Sequence, residues 1–196
     1  ITIFERAMKT DTFDYQLPRE LLAQRPLLRR DESRLLVVHR DSGRIEHRGF
    51  KEFGEYLHPG DILLANDSKV FPARLYGRKT SGGKVEVLLL ERLDDQKWKA
   101  IVGGKRLEAG KEIVIEDRDG RPTSTIATVA EVLDGSQRIV RFEQPVDDDL
   151  ALLGHTPLPP YIHETLDDAD RYQTIYARPL GSAAAPTAGL HFTGDL

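Results

Sequence analysis

The 196-residue chain carries 28 Lys and Arg against 32 Asp and Glu, a formal net charge of −4, with 39% hydrophobic and 31% charged residues. Those proportions allow a real core in one large domain or two small ones, and no window approaches the roughly 20 apolar residues of a membrane span. The absence of cysteine excludes disulfides, Cys-rich zinc sites and thiol catalysis. With no basic start followed by an apolar run and a small-residue cleavage site, the expected location is the cytoplasm. The chain opens on Ile1 and its one methionine is Met8, so residues 1–7 are expected to be upstream sequence. It stops at Asp195-Leu196, directly after a dense run of distinctive residues, and a truncated C-terminal part is expected.

Leu17 to Gln24 reads as a short helix, since Pro18 suits a first turn and Pro26 stops continuation past Arg25. Leu35 to Arg40 and Arg44 to Arg48 flank Asp41-Ser42-Gly43, a hairpin pattern. Phe50, Phe53 and Leu57 recur at helical spacing before Pro59-Gly60. From Asp61 the texture changes to short strand-like runs between turn residues: Ile62 to Ala65, Val70 to Tyr76, Val85 to Leu90, Trp98 to Val102, Ile113 to Ile115, Ile126 to Val132 and Arg138 to Phe142. Close-spaced runs with glycine turns predict a small antiparallel barrel. Asp147-Asp148-Asp149 marks an acidic boundary, and Pro157-Leu158-Pro159-Pro160-Tyr161-Ile162 a stiff, extended link. The expected fold class is α/β plus β: a small antiparallel β-barrel, residues 61–150, inserted into a mixed α/β domain formed by residues 8–60 and 151–196.

Charge is uneven. Lys69, Arg74, Arg78, Lys79 and Lys84 lie between Ser68 and Val85 with no acidic residue among them, and Lys97, Lys99, Lys105, Arg106 and Lys111 are interrupted only by Glu108. Such clusters either engage phosphates on an otherwise acidic molecule or are solvated strand faces.

The most informative segment for chemistry is Gly181 to Thr193. Small residues, a proline and two hydroxyls before His191 make a loop that a ligand could approach closely, with the side chain best suited to proton exchange near neutral pH. A tight turn that buries its histidine would look the same. In Asp170 to Ala177, Tyr172 and Tyr176 suit stacking on a flat heterocycle and the Gln173 amide suits a base edge, or the two phenols form one face against a core. Asn66-Asp67-Ser68 can build an Asx-type turn beside Lys69 and Arg74. No P-loop, Gly-x-Gly-x-x-Gly, His-Glu-x-x-His or Gly-x-Ser-x-Gly pattern occurs, so NTPase, ordinary dehydrogenase, zincin and α/β-hydrolase readings lose support.

Taken together, the motifs resemble the S-adenosylmethionine:tRNA ribosyltransferase-isomerase family of queuosine biosynthesis. The matching stretches are Phe13 to Pro18 with Gln24-Arg25-Pro26, Arg30 to Val37, Gly60 to Leu75, Gly82 to Leu90, Pro157 to Ile162, Arg171 to Thr174 with Tyr176-Ala177, and Ala184 to Thr193, in the family's order; Ala183 stands where the family pattern leads one to expect valine. The resemblance implies a monomer with a β-barrel inserted in a larger α/β domain. It also implies transfer and isomerisation of the ribosyl part of S-adenosylmethionine onto a 7-aminomethyl-7-deazaguanine base at the tRNA wobble position. The product is epoxyqueuosine, and adenine and methionine leave.

On that footing the partners are tRNA and S-adenosylmethionine, the latter a consumed substrate; no cofactor, metal or membrane is expected. The candidate catalytic residues are His191 (acid/base or adenine orientation), Thr187 (polar ligand) and Asp67 (a carboxylate near the domain junction). Tyr172, Gln173 and Gly189 are the candidate nucleoside contacts, and Arg74, Lys79 and Lys84 the candidate tRNA phosphate contacts. Two other classes compete: a non-catalytic RNA-binding β-barrel module, and a purely structural or regulatory domain.

Overall fold

The computed structural model describes residues 9–164 and 168–196; residues 1–7, expected to be upstream sequence, lie outside the described residues. The chain opens with isolated 3-10 turns rather than helices. The segment 17–24, expected as a helix, contributes one turn, Arg19–Leu21, that buries no side chain; between two prolines it is too short for helical hydrogen bonds to offset the cost of nucleation. The expected hairpin forms from β1 (Arg34–Val38) and β2 (Ile45–Gly49), paired Leu36 to His47, with Gly43 at φ 68° in the turn. Glu46 collects the hairpin's cations, at 2.6 Å from His39, 2.7 Å from Arg44 and 2.9 Å from Arg48, and its carboxyl pKa is lowered by the hydrogen bonds from Arg48 and His39. A 3-10 segment, Phe50–Tyr56, follows.

The run Ile62 to Ala65, expected as a strand, is not one. Among the described residues nothing pairs with it, and Ile62 and Leu64 are 92% and 93% exposed. A short continuous apolar run is compatible with a buried strand, but a strand also needs a neighbour for its backbone N–H and C=O groups.

Beyond β3 (Lys69–Val70), six antiparallel strands close a barrel: β4 (Arg74–Lys79), β5 (Lys84–Arg92), β6 (Lys97–Gly103), β7 (Glu112–Glu116), β8 (Pro122–Val132) and β9 (Gln137–Phe142), in the order β4-β5-β6-β9-β8-β7 with β7 returning to β4. Alternation drives it: Val85, Val87 and Leu89 of β5 and Trp98, Ala100 and Val102 of β6 point inward, as do Leu75, Ile113, Ile115, Val129, Val140 and Phe142, the period-two pattern of a closed sheet. The segment 104–111 between β6 and β7 spans one end, where buried Leu107 joins the core and Arg138 Nε donates to its carbonyl at 3.1 Å. At the other end Phe71, 5.7 Å from the Trp98 ring, and Val146, Leu150 and Leu153 complete the core; the last two belong to the short helix α1 (Leu150–Leu153).

The chain leaves the barrel beside the point where it came in. Arg74 and His155 exchange backbone hydrogen bonds of 3.1 and 2.8 Å, and Arg118 Nε donates to the Gly154 carbonyl at 2.8 Å. Further on, β10 (Leu180–Ser182) runs parallel to β3. Among the described residues no helix is long and apolar enough to cross a membrane.

His155 packs edge-on to Tyr76 at 5.0 Å. Burial, then the charges of Arg118 and Arg74, hold its pKa below the ordinary histidine value. The unfolded chain therefore takes up a proton first as pH falls through about 6.5, so this stabilisation is complete above that pH and is lost as pH drops from there toward the folded-state pKa. The melting temperature is expected to fall between pH 7.5 and 5.5, and His155→Phe, which keeps the ring contact without the titration, to flatten that fall. An unchanged pH profile in the variant counts against the assignment.

Candidate functional site

The distinctive C-terminal run folds as β10, a bend and a 3-10 turn, Thr187–His191, laid against the end of the barrel closed by Phe71 and α1, the capped end. Lys69 N–H donates to the Pro179 carbonyl at 2.7 Å, and Phe71 N–H to that of Ser182 at 3.2 Å. Ala183, the departure from the family pattern, packs on the barrel core.

His191 stands in an aromatic nest. Its ring lies 5.1 Å from Phe50, tilted by 44°. Phe50 stacks on Phe53 at 5.5 Å, and Phe192 meets Phe50, Phe53 and Tyr176 edge-on at 5.2, 5.8 and 6.2 Å. Neither His191 nor Thr187 makes a side-chain hydrogen bond among the described residues. An imidazole held by ring packing alone keeps both nitrogens available, one as donor and one as acceptor. Gly189 is buried beneath this nest. A Cβ there would collide with the Tyr176 hydroxyl and come 2.9 Å from Thr174 Cγ2, so the glycine is required by close approach rather than by backbone angle.

Tyr172 and Gln173 are brought to the same region, but inward. Tyr172 is 9% exposed; burial raises its phenol pKa, offset in part by a hydrogen bond from the Ala185 backbone. Gln173 commits both ends of its amide to one residue, Nε2 donating to Val70 O at 2.7 Å and Oε1 accepting from Val70 N–H at 2.9 Å. The donor-acceptor pair expected to read a base edge reads a strand edge.

Asp67 is exposed and follows Asn66, whose Oδ1 accepts from Ser68 N–H at 2.8 Å in the expected Asx turn; its carbonyl accepts from Arg178 N–H at 2.8 Å. Arg74 sits at the barrel mouth between Glu86, 3.0 Å away, and the Leu158 carbonyl at 3.4 Å. Lys79 and Lys84 are at the opposite end of the barrel, at the β4–β5 turn. There Lys79 Nζ donates to Lys105 O at 2.9 Å, which joins the two basic clusters of the sequence, while Arg78 is neutralised by Glu116 at 2.6 Å. The candidate residues therefore form two groups: Thr187, Gly189, His191, Tyr172, Gln173 and Arg74 at the capped end, with Asp67 tied to it through the backbone, and Lys79 and Lys84 at the far end. The partners of His191 escape a reading of the sequence, because Phe50 and Phe53 read only as one face of a helix. Among the described residues no group of three or more His, Asp and Glu is arranged to hold a metal ion.

Gly189→Ala is expected to destabilise the chain by about 1–3 kcal/mol, the usual cost of overpacking. Adding Tyr176→Phe, which removes the colliding oxygen, should recover a measurable part. Equal melting temperatures for Gly189→Ala and the original chain would refute this packing.

Over residues 10–196 the chain matches the family described as queuosine biosynthesis protein. Curated relatives named S-adenosylmethionine:tRNA ribosyltransferase-isomerase include one from Symbiobacterium thermophilum, 51% identical over 193 residues (96% of this chain, 55% of the relative). Others come from Desulforamulus reducens, 48% identical with the same coverages, and Thermotoga maritima, 51% identical over 191 residues, again 96% and 55%. The chain thus spans about half the length of these relatives. A crystal structure of S-adenosylmethionine tRNA ribosyltransferase from Thermotoga maritima is similar at 47% identity with a TM-score of 0.34, over 70% of this chain and 46% of that one. By the extent of the family match and the level of identity, the chain belongs to the queuosine biosynthesis protein family.

Proposed function

We propose that this chain is part of a tRNA-modifying enzyme that transfers and isomerises the ribosyl moiety of S-adenosylmethionine onto 7-aminomethyl-7-deazaguanine at the wobble position, giving epoxyqueuosine, adenine and methionine. The observation that carries this is the 51% identity, across 96% of the chain, to a relative named S-adenosylmethionine:tRNA ribosyltransferase-isomerase. The chemistry needs a proton removed from the carbon next to the sulfonium, adenine expelled, and the amine of the base brought to the resulting electrophile. His191, with both ring nitrogens unclaimed and aromatic faces around it, is the group suited to move a proton or orient the adenine, and those faces suit a cationic sulfonium. Thr187 would be a polar ligand and Asp67 a nearby carboxylate. Tyr172, Gln173 and Gly189 shape this end by holding its backbone, and Arg74 lies at its margin. The proposed arrangement has residues 61–150 inserted between 8–60 and 151–196 of an α/β domain, acting as a cytoplasmic monomer without cofactor.

The full-length protein, incubated with S-adenosylmethionine and tRNA carrying the 7-aminomethyl-7-deazaguanine base, is expected to yield an epoxyqueuosine nucleoside and one adenine per product, read by mass spectrometry. His191→Ala should reduce that rate by about 10²-fold or more, the usual contribution of a general acid or base. Binding of tRNA without product would favour the non-catalytic RNA-binding barrel.

The basic end of the barrel gives a second expectation. Lys79→Glu with Lys84→Glu should weaken tRNA binding and lower the slope of log affinity against log salt by about 1 for each phosphate that is no longer neutralised. An unchanged slope would mean that these lysines are only solvated.

A further inference from the structure

Beside the aromatic nest, the segments 28–31, 171–175 and 193–195 line a depression of about 430 Å³, within the size range of small-molecule sites. The chemistry assigned to His191 makes no use of it. It adjoins the His191 loop, since the 30–32 turn packs on the 187–191 turn.

The lining carries Arg29, Arg30 and Arg171 against Asp31 and Asp195; Arg29 is paired with Asp31 and Glu32 at 3.4 and 3.6 Å, and the other two arginines are held by the backbone. Arg30 Nη1 donates to Gln173 O at 2.9 Å. Arg171 donates through Nη1 to Leu28 O at 3.1 Å and through Nη2 to Leu27 O. Both guanidiniums are thereby positioned by backbone carbonyls, and each retains further N–H donors. Both line the same depression, with Arg171 two residues before the carbonyl that holds Arg30; after burial, the charge of Arg171 lowers the pKa of Arg30 and that of Asp168 raises it. Two cations fixed side by side favour an anion between them. Asp31 is 5% exposed; its Oδ2 lies 3.4 Å from Arg29, but its Oδ1 is buried without a hydrogen-bond partner, as is Thr193 Oγ1. A buried carboxylate oxygen and a buried hydroxyl left unpaired are costly, and a cationic donor reaching either would satisfy it.

A phosphate would serve the arginines and leave Asp31 facing another anion. A simple amine would serve Asp31 and Asp195 and leave Arg171 with backbone carbonyls alone. A ligand with a carboxylate and an ammonium on one carbon meets both demands. We propose that this pocket binds the zwitterionic head of an α-amino acid. The carboxylate sits on Arg30 and Arg171, the ammonium on Asp31 Oδ1 and Thr193 Oγ1, and the side chain runs along the apolar surface of Leu28, which is 91% exposed, and Ile175. Two sources share that head: a free amino acid, and the methionyl end of S-adenosylmethionine. The second rests on the function proposed above.

The test varies the ligand before the protein. Binding to the 196-residue chain is measured by calorimetry and ligand-observed NMR for S-adenosylmethionine, L-methionine, 3-(methylthio)propylamine without the carboxylate, 4-(methylthio)butanoate without the amine, 5′-methylthioadenosine without the amino-acid head, and inorganic phosphate. S-adenosylmethionine or L-methionine should bind at least tenfold more tightly than each compound lacking half of the head. Asp31→Asn should weaken binding of the complete head at least tenfold while leaving the butanoate unchanged. A greater affinity for S-adenosylmethionine than for methionine identifies the first as the source; equal affinities identify the free amino acid. Phosphate or butanoate binding as well as methionine would overturn the proposal in favour of a plain anion site. No binding of either amino-acid compound at 10 mM, on the order of the weakest specific affinities, would overturn it outright. Failure of the epoxyqueuosine assay with methionine still bound would reject the enzyme reading and keep the pocket; product formation with 5′-methylthioadenosine binding as tightly as S-adenosylmethionine would do the reverse.

Discussion

One residue, through its side-chain amide and its backbone carbonyl, joins three stretches of chain that are far apart in sequence. Gln173 pairs both of its polar ends with the backbone of Val70, just before the barrel begins, and its own carbonyl accepts from Arg30, in the turn that precedes the β1–β2 hairpin. An amide that copies a strand's donor-acceptor edge satisfies two backbone groups which the two-residue strand β3 could not otherwise pair, and unpaired groups there would be expensive. With this bracket in place, β10 lies along β3 and the Thr187–His191 turn is set down on Phe50. It is reinforced by Lys69 and Phe71 N–H donating to Pro179 and Ser182 O, and by Arg171 donating to Leu27 and Leu28 O.

The barrel is legible in the sequence because its strands alternate. Val85, Val87 and Leu89, or Trp98, Ala100 and Val102, can be buried together only on one face of a strand, and glycine-bearing turns delimit them. Less legible is whatever depends on a partner distant in sequence. Ile62 to Ala65 carries the composition of a strand and no neighbour. Phe50 and Phe53 suggest a helix face, whereas their ring stack serves to seat His191. Nothing in Arg30-Asp31-Glu32 distinguishes Asp31, the one that becomes buried, from the exposed acid beside it. The amide of Gln173 reads correctly as a donor-acceptor pair; which edge it meets is a tertiary fact.

Charge follows the same division. Of the basic run on β4 and β5, Arg74 and Arg78 are drawn into pairs with Glu86 and Glu116 on adjacent strands of the barrel, so they stiffen the sheet more than they project a field. Lys84 and Lys105, at the turns, are left to face solvent, while half-buried Lys79 donates to the Lys105 carbonyl. A net charge of −4 is therefore compatible with one positive end, and the polarity of the barrel is set by where its acidic neighbours happen to fall in register.

The contact between Arg74 and His155 has an entropic side. Because the chain enters and leaves the barrel through two hydrogen-bonded residues, the flanking segments experience the entire barrel as a link scarcely longer than a turn. The loop-closure entropy that would otherwise oppose bringing residues 70 and 173 together is absorbed when the barrel folds on its own local contacts. Changes of length within its outer turns should then leave the geometry around His191 untouched, so the far end of the barrel is free to vary in sequence and size while the capped end stays fixed.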